Sequence, residues 1–368
     1  MKAAPNQGRN YALDFIKCLA TITIVFHHYQ QITGARFRFN FDGGWFYWGH
    51  IVELFFLISG YVMYRYVPAI YEGRISLKVW TAKRTLRCIP LMAIGAVAYE
   101  LILYLSINRF GVGYHGIQPT IWGTVVASLG LQQSAIFPNP WVNNPTWYIS
   151  VLFLCYIVFY IATALAKKWN VRPSYLYIAI ILLGCGIATY GINTFLLDSQ
   201  TARGYRAFFF GVLLAGAIAK NDGKPSAGLW ISSLVTLVLF ALALIFKRSL
   251  LEDNRMYLLT FLVFPAMIVL LSTPAAKKLF SGKIWSVWGG ISFNVYIWHE
   301  PMLVALNLLF GLGIWPSDFS RWEYMLIFTL AAEIVGVISH YLIEKPLARR
   351  VNRMIAHMEA ADANIKNI

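Results

Sequence analysis

The chain reads as long apolar runs broken by short polar connections. The runs recur from Leu13 to Leu342, and at a rise of about 1.5 Å per residue a helix of roughly 20 residues crosses a ~30 Å hydrocarbon core. The predicted spans are 12–33, 48–66, 79–105, 145–165, 175–193, 205–219, 228–246, 257–272, 286–310 and 323–343. The expected fold is therefore all-α: a polytopic membrane protein of about ten transmembrane helices. A shorter apolar piece at 120–136 precedes Phe137-Pro138-Asn139-Pro140 and Asn143-Asn144-Pro145. It reads as re-entrant or interfacial rather than spanning.

Charge supports this division, because Lys and Arg concentrate in alternate connections of a correctly placed set of spans. The N-terminus and the segments near 67–87, 166–174, 220–227, 273–285 and 344–368 hold 20 of the 31 basic residues; the opposite side holds nine, and Lys17 and Arg65 fall within helices. Both termini are expected in the cytoplasm. The connection 106–144 carries Arg109 as its one basic residue, which suits an extracytoplasmic segment.

Composition agrees: 58% of the 368 residues are hydrophobic and 13% charged, where soluble domains average roughly 25% charged. A net charge of +15 would ordinarily raise nucleic acid as a partner. Here the basic residues occupy orientation loops, and no nucleic-acid partner is expected. Cys18, Cys88, Cys155 and Cys185 lie in or beside apolar runs without metal or disulfide spacing, so they read as small buried side chains and no metal site is expected. The first run lacks a small-residue cleavage site and is expected to stay as a helix. The expected organisation is one membrane domain over 1–350 and a short cytoplasmic tail over 351–368, with no attached soluble domain and no internal repeat.

Ionisable residues at membrane depth cost several kcal/mol unless they meet a partner or a cavity, so each is a functional candidate. Asp14, Lys17 and His28 share one face of the first helix, since the eleven residues from Lys17 to His28 leave a net rotation of only about 20°. Lys17 falls near the cytoplasmic end and His28 roughly 16 Å away toward the outer end, while His27 points elsewhere. A snorkelling lysine and a hydrogen-bonded core histidine would give the same stripe. Histidine is the side chain suited to taking a proton from a hydroxyl near neutral pH. Glu53, entering the second span from outside, falls at a depth similar to His28; pairing there would fix the imidazole tautomer, and a structural Glu53 that caps or pairs locally is the other reading. Lys83, Arg84 and Arg87 open the third span, with Arg84 and Arg87 on one face at i, i+3, a spacing able to grip phosphates, although a positive-inside cluster would look the same. Trp147 and Ser150 open the fourth, and Trp298-His299-Glu300-Pro301 lies in the ninth, where proline is expected to kink the helix. Glu100, Glu333 and His340 read as packing or hydrogen-bonding groups.

These residues resemble the acyltransferase-three family of bacterial membrane proteins, which acylate cell-surface and exported glycans. The likeness rests on Leu13-Asp14-Phe15-Ile16-Lys17 with His28 after ten residues, and on Val52-Glu53-Leu54-Phe55-Phe56-Leu57-Ile58-Ser59-Gly60-Tyr61. It extends to Arg84-x-x-Arg87 before Pro90, Thr146-Trp147-Tyr148-Ile149-Ser150, Tyr296-x-Trp298-His299 and Glu344-Lys345-Pro346. One departure stands in the fourth span: many members carry Glu two residues after the serine, and this chain has Leu152.

The resemblance implies a multi-pass enzyme of the bacterial inner membrane that moves an acyl group, most often acetyl, from cytoplasmic acyl-CoA to a hydroxyl of a glycan or lipo-oligosaccharide. No cofactor is expected to stay bound; acetyl-CoA or another acyl-CoA is the donor substrate, and glycan-synthesis or export proteins are expected partners. On that expectation His28 and Glu53 are catalytic. Lys17, Arg84 and Arg87 hold the donor, and Trp147, Ser150, His299 and Glu300 contact the acceptor. An exporter or flippase of a glycan or its lipid-linked precursor is the competing reading; the lack of inverted repeats counts against it.

Overall fold

The computed structural model describes residues 10–366 apart from 43–46, 134–136, 138, 247–248, 253 and 316–317. The described residues form helices and connections, with one isolated bridge between Thr194 and Leu197. The main helices are α1 (Tyr11–Thr33), α2 (Ile51–Met63), α3 (Leu77–Thr85), α4 (Ile89–Phe110), α5 (Ile121–Ser128), α6 (Trp147–Lys168) and α7 (Pro173–Tyr190). They continue as α8 (Ser199–Ala219), α9 (Ala227–Phe246), α10 (Phe264–Leu271), α11 (Lys283–Gly311), α12 (Trp322–Ser339) and α13 (Lys345–Lys366). A helix stands at each of the ten predicted spans. Among the described residues, seven helical stretches are both long and apolar enough to cross a membrane. The chain is a multi-pass membrane protein.

Three boundaries differ from expectation for physical reasons. The predicted helix 79–105 is interrupted by a turn at 86–88, because Pro90 lacks the amide its turn would need and crowds the carbonyl four residues back. Arg84 therefore ends a helix and Arg87 lies in the turn, so the expected shared helical face of the two arginines is not formed. The sixth span begins at Ser199 rather than 205, because Asp198 caps it: its side chain accepts from the Gln200 and Thr201 amides at 2.9 and 2.7 Å, and Thr201 Oγ1 accepts from the Asp198 amide at 2.8 Å. The last span runs on through a wide turn at His340–Glu344 into α13, so the expected tail is helical as far as Lys366. At eight residues, α5 is about 12 Å long and too short to span.

The chain divides into two compact units: residues 1–20, 43–75 and 157–290 form one, and 21–42, 76–156 and 291–368 the other. In the first, α2 lies against α8 at glycines. A Cβ on Gly60 would fall 1.8 Å from the Phe208 carbonyl oxygen, and one on Gly211 would fall 2.1 Å from that of Leu57. Helices in lipid gain little from burying apolar surface against each other, so close backbone approach at small residues carries the association. The apolar α9 leaves Leu234, Val238 and Leu242 exposed, the surface expected of a lipid-facing helix. The second unit has a core of Ala96, Tyr99, Leu103, Tyr114, Ala127, Val142 and Val304.

Candidate active site

The site lies within the second unit, and its frame is set by α11. Pro301 sits inside this helix and has no amide to give the Ile297 carbonyl, four residues back. Asn143 supplies the missing donor: its Nδ2 lies 3.0 Å from Ile297 O. Asn143 is itself held at φ 45°, a left-handed conformation that asparagine tolerates better than most residues. Tyr296 donates its hydroxyl to the Pro145 carbonyl, so both ends of the 143–145 turn are pinned to α11. On the other flank a Cβ at Gly95 would meet Ile297 Cγ2 at 2.4 Å, so glycine lets α4 reach the same turn.

This frame presents His299 and Glu300 to His28. His299 Nδ1 lies 2.7 Å from the Tyr296 carbonyl; a carbonyl only accepts, so Nδ1 carries the proton and Nε2 is a bare acceptor. His28 Nδ1 lies 3.4 Å from that Nε2 and 3.7 Å from Glu300 Oε2. Facing two acceptors, His28 Nδ1 is the protonated nitrogen and Nε2 bears the lone pair. Glu300 Oε1 accepts from the Tyr114 hydroxyl at 3.0 Å. Burial, and next the Glu300 charge, push the Tyr114 phenol well above its ordinary range, which keeps it a donor.

Among the buried polar atoms of this unit without a hydrogen-bond partner among the described residues are Glu300 Oε2, Tyr99 Oη and Asn143 Oδ1. Tyr99 stacks edge-on to Tyr114 with ring centroids 6.3 Å apart, and Asn143 is tied to α11 as described. Unsatisfied buried polar groups cost roughly 1–3 kcal/mol each. Left as they are, these atoms are free to meet the polar groups of a ligand.

The expectation of no metal site meets one group of side chains, among the described residues, whose donor types could hold an ion. His28, His299 and Glu300 offer donor atoms within 4.8 Å of one another and could hold an ion; two imidazoles and a carboxylate are a donor set that zinc accepts.

The expected pairing of Glu53 with His28 is corrected. Glu53 oxygens accept from Arg203 Nε and Nη2 at 2.7 and 2.9 Å, and the carboxylate at His28 is Glu300. Hydropathy had hidden Arg203 by starting its helix too late; the Asp198 cap was the available signal. Lys17 Nζ pairs with Asp14 Oδ1 at 2.7 Å, and His27 turns to the Phe41 carbonyl at 3.0 Å. Arg84 stacks over Trp80, 4.5 Å from its ring centroid, and Lys83 pairs with Glu359 of α13. Ser150 Oγ accepts from the Gln133 amide at 3.0 Å, a loop-tethering bond, and Trp147 is half-buried. Trp298 does not line the triad: its Nε1 donates to Ser339 Oγ at 2.8 Å. That hydroxyl continues to Asn294, then to Glu344 and His340, a network that joins α11 to α12. Tyr114 and Asn143 sit in irregular connections where periodicity gives no signal, although the Asn-Asn-Pro turn did mark the second.

Comparison with known proteins adds to this geometry. The family model described as "Acyltransferase domain" matches residues 10–341. The peptidoglycan O-acetyltransferase OatA of Listeria monocytogenes is 24% identical over 380 aligned residues, covering 95% of this chain and 58% of the relative. A putative O-acetyltransferase of Staphylococcus aureus is 23% identical, over 92% of this chain and 57% of its own length. The O-acetyl transferase of Shigella phage Sf6 is 22% identical, over 93% of this chain and 97% of the relative. The chain thus spans somewhat over half the length of the first two relatives. No solved structure matches it.

Proposed function

The chain belongs to the acyltransferase family, and on that premise we propose that it is a multi-pass O-acetyltransferase of a bacterial inner membrane, acting on a glycan hydroxyl with acetyl-CoA as donor. The observation that carries the reading is the His28–His299–Glu300 arrangement, which leaves a basic nitrogen on a buried, oriented imidazole. The names of the relatives support the acetyl group and a surface polymer as acceptor.

The chemistry follows from the tautomer. The acceptor hydroxyl attacks the acyl carbonyl carbon while its proton passes to His28 Nε2. The resulting imidazolium is stabilised by Glu300 through Nδ1–H, with His299 Nε2 as the alternative acceptor. Collapse breaks the carbon–sulfur bond, and His28 returns the proton to the departing thiolate. The products are the O-acyl ester and the free thiol. His299 and Glu300 are thus positioning residues rather than the acceptor contacts first expected. Tyr99 and Asn143 are the proposed acceptor contacts, because their buried oxygens are otherwise unused. Arg84 and Arg87 are the cations proposed for the donor phosphates, with Lys17 a further candidate of the same kind.

Mass spectrometry of surface and secreted glycan tests the reading. Cells carrying His28→Ala at parental membrane abundance are expected to lose the acyl ester by about 10²-fold or more, with polymer amount and length unchanged. Parental acylation would remove His28 from the chemistry, and missing polymer would favour the exporter.

A further inference from the structure

The first unit holds an ionisable cluster that acyl transfer does not use. The Asp198 cap starts α8 early enough to place Arg203 and Arg206 one turn apart on the same helix. Arg203 is neutralised: besides its two bonds to Glu53 it donates to Gly49 O at 2.8 Å and to Gln200 Oε1 at 3.1 Å. Arg206 is not. It is 1% exposed; its Nε donates to Ala202 O at 3.1 Å and Nη2 to Met256 Sδ at 3.2 Å. Its guanidinium carbon lies 5.0 Å from the Tyr257 ring centroid. None of these neighbours is an anion, and Nη1 is buried with no hydrogen-bond partner among the described residues.

His50 shares this condition. Its Nδ1 is buried and has no hydrogen-bond partner among the described residues; it lies 3.9 Å from Glu53 Oε1, beyond hydrogen-bond length. It stands in the field of Arg203, Arg206 and Arg255 as well as that of Glu53. Within this group Glu53 is committed to Arg203, so Arg206 is left as a buried cation without a paired anion among the described residues. A carbonyl, a thioether and an aromatic face offset only part of the several kcal/mol that desolvating a guanidinium costs. A planar fork with one amine unused is also the shape that takes a carboxylate or phosphate.

We propose that Arg206 and His50 form an anion-binding site for the carboxylate or phosphate carried by a glycan or by its lipid carrier. By the charge bias of the loops, His50 and Arg255 lie at helix ends facing the extracytoplasmic side, where such a polymer is handled. Assigning the anion to the acceptor rests on the proposed glycan acylation; the anion site itself does not.

The test uses the full chain in nanodiscs of zwitterionic lipid, without acyl donor. The probes are N-acetylmuramic acid, its uncharged parent N-acetylglucosamine, inorganic phosphate and a short polyprenyl phosphate. At least one anion is expected to bind tenfold or more tightly than N-acetylglucosamine, and the preferred anion identifies its source. Arg206→Gln is expected to weaken that binding about tenfold or more, Arg206→Lys less, and His50→Gln by an intermediate factor. Anions that bind no better than the neutral sugar would overturn the site, as would Arg206→Gln binding them within about twofold of the parent. Should Arg206→Gln fail to fold, His50→Gln decides, and unchanged anion binding there overturns the site. Because turnover is not the readout, anion binding that persists in a chain unable to acylate glycan counts against the enzyme reading alone.

Discussion

Two buried glutamates define the contrast between the units. Glu53 is 1% exposed and Glu300 is 4% exposed, and each sits on a membrane helix beside a nitrogen base. Both oxygens of Glu53 are held by one guanidinium in a fork-on-fork pair. Glu300 has one oxygen on Tyr114 and the other without a hydrogen bond among the described residues, 3.7 Å from an imidazole. A saturated carboxylate facing a permanent cation has no proton to exchange and no valence to offer, so it locks α2 to α8. A half-satisfied carboxylate facing a titratable ring can share a charge that comes and goes. Depth and residue type make both look functional; the state of their hydrogen bonds separates fastening from chemistry.

Paired substitutions test that contrast most severely. Glu300→Gln is expected to leave the folded yield near parental and to lower turnover by about 10²-fold, because the imidazolium loses its counter-charge. Glu53→Gln is expected to do the reverse. It strands Arg203 as a buried cation at a cost of about 3–5 kcal/mol, so thermal unfolding in detergent should shift sharply while turnover per folded molecule stays within a few-fold. Unfolding curves and turnover measured on the same preparations decide it; an exchange of the two phenotypes would undo the assignment of roles.

A smaller effect isolates the helix contact beneath the ion pair. Gly60→Ala leaves Glu53 and Arg203 untouched but drives a methyl group toward the Phe208 carbonyl, which overpacking data put at about 1–3 kcal/mol or more. Its unfolding midpoint should fall less than that of Glu53→Gln. An unchanged midpoint would mean that α2 and α8 are not held at glycine distance.

How much of this was legible beforehand depends on which force placed each residue. Apolar runs located the long apolar helices, because transfer into lipid acts on each run by itself; the polar α13 gave no such signal. His28, His299 and Glu300 stood out because an ionisable group in such a run is costly wherever it lies. What periodicity could not give was partnership. Glu53 was expected beside His28 and Glu300 at the acceptor, whereas the packing of α11, fixed by Pro301, Asn143 and Gly95, brings Glu300 to His28. Arg203 escaped notice because hydropathy starts a helix at its first apolar stretch, whereas the chain starts it at the Asp198 cap; Arg206 fell inside the predicted span 205–219 and was not singled out.

The smallest expected effect bears on what the triad holds while it works. Three donor atoms within 4.8 Å suit a metal ion, yet an ion on His28 Nδ1 would displace that proton to Nε2 and remove the lone pair assigned to the base. The two uses of the ring exclude each other. Exhaustive treatment with a chelator should therefore leave turnover within about twofold, well short of the loss that general-base removal causes. Loss of activity that zinc restores would transfer the role of activating the acceptor hydroxyl from His28 to a bound ion. Glu300 would then be a ligand rather than the counter-charge of an imidazolium, and the contrast with Glu53 would rest on metal binding instead of proton exchange.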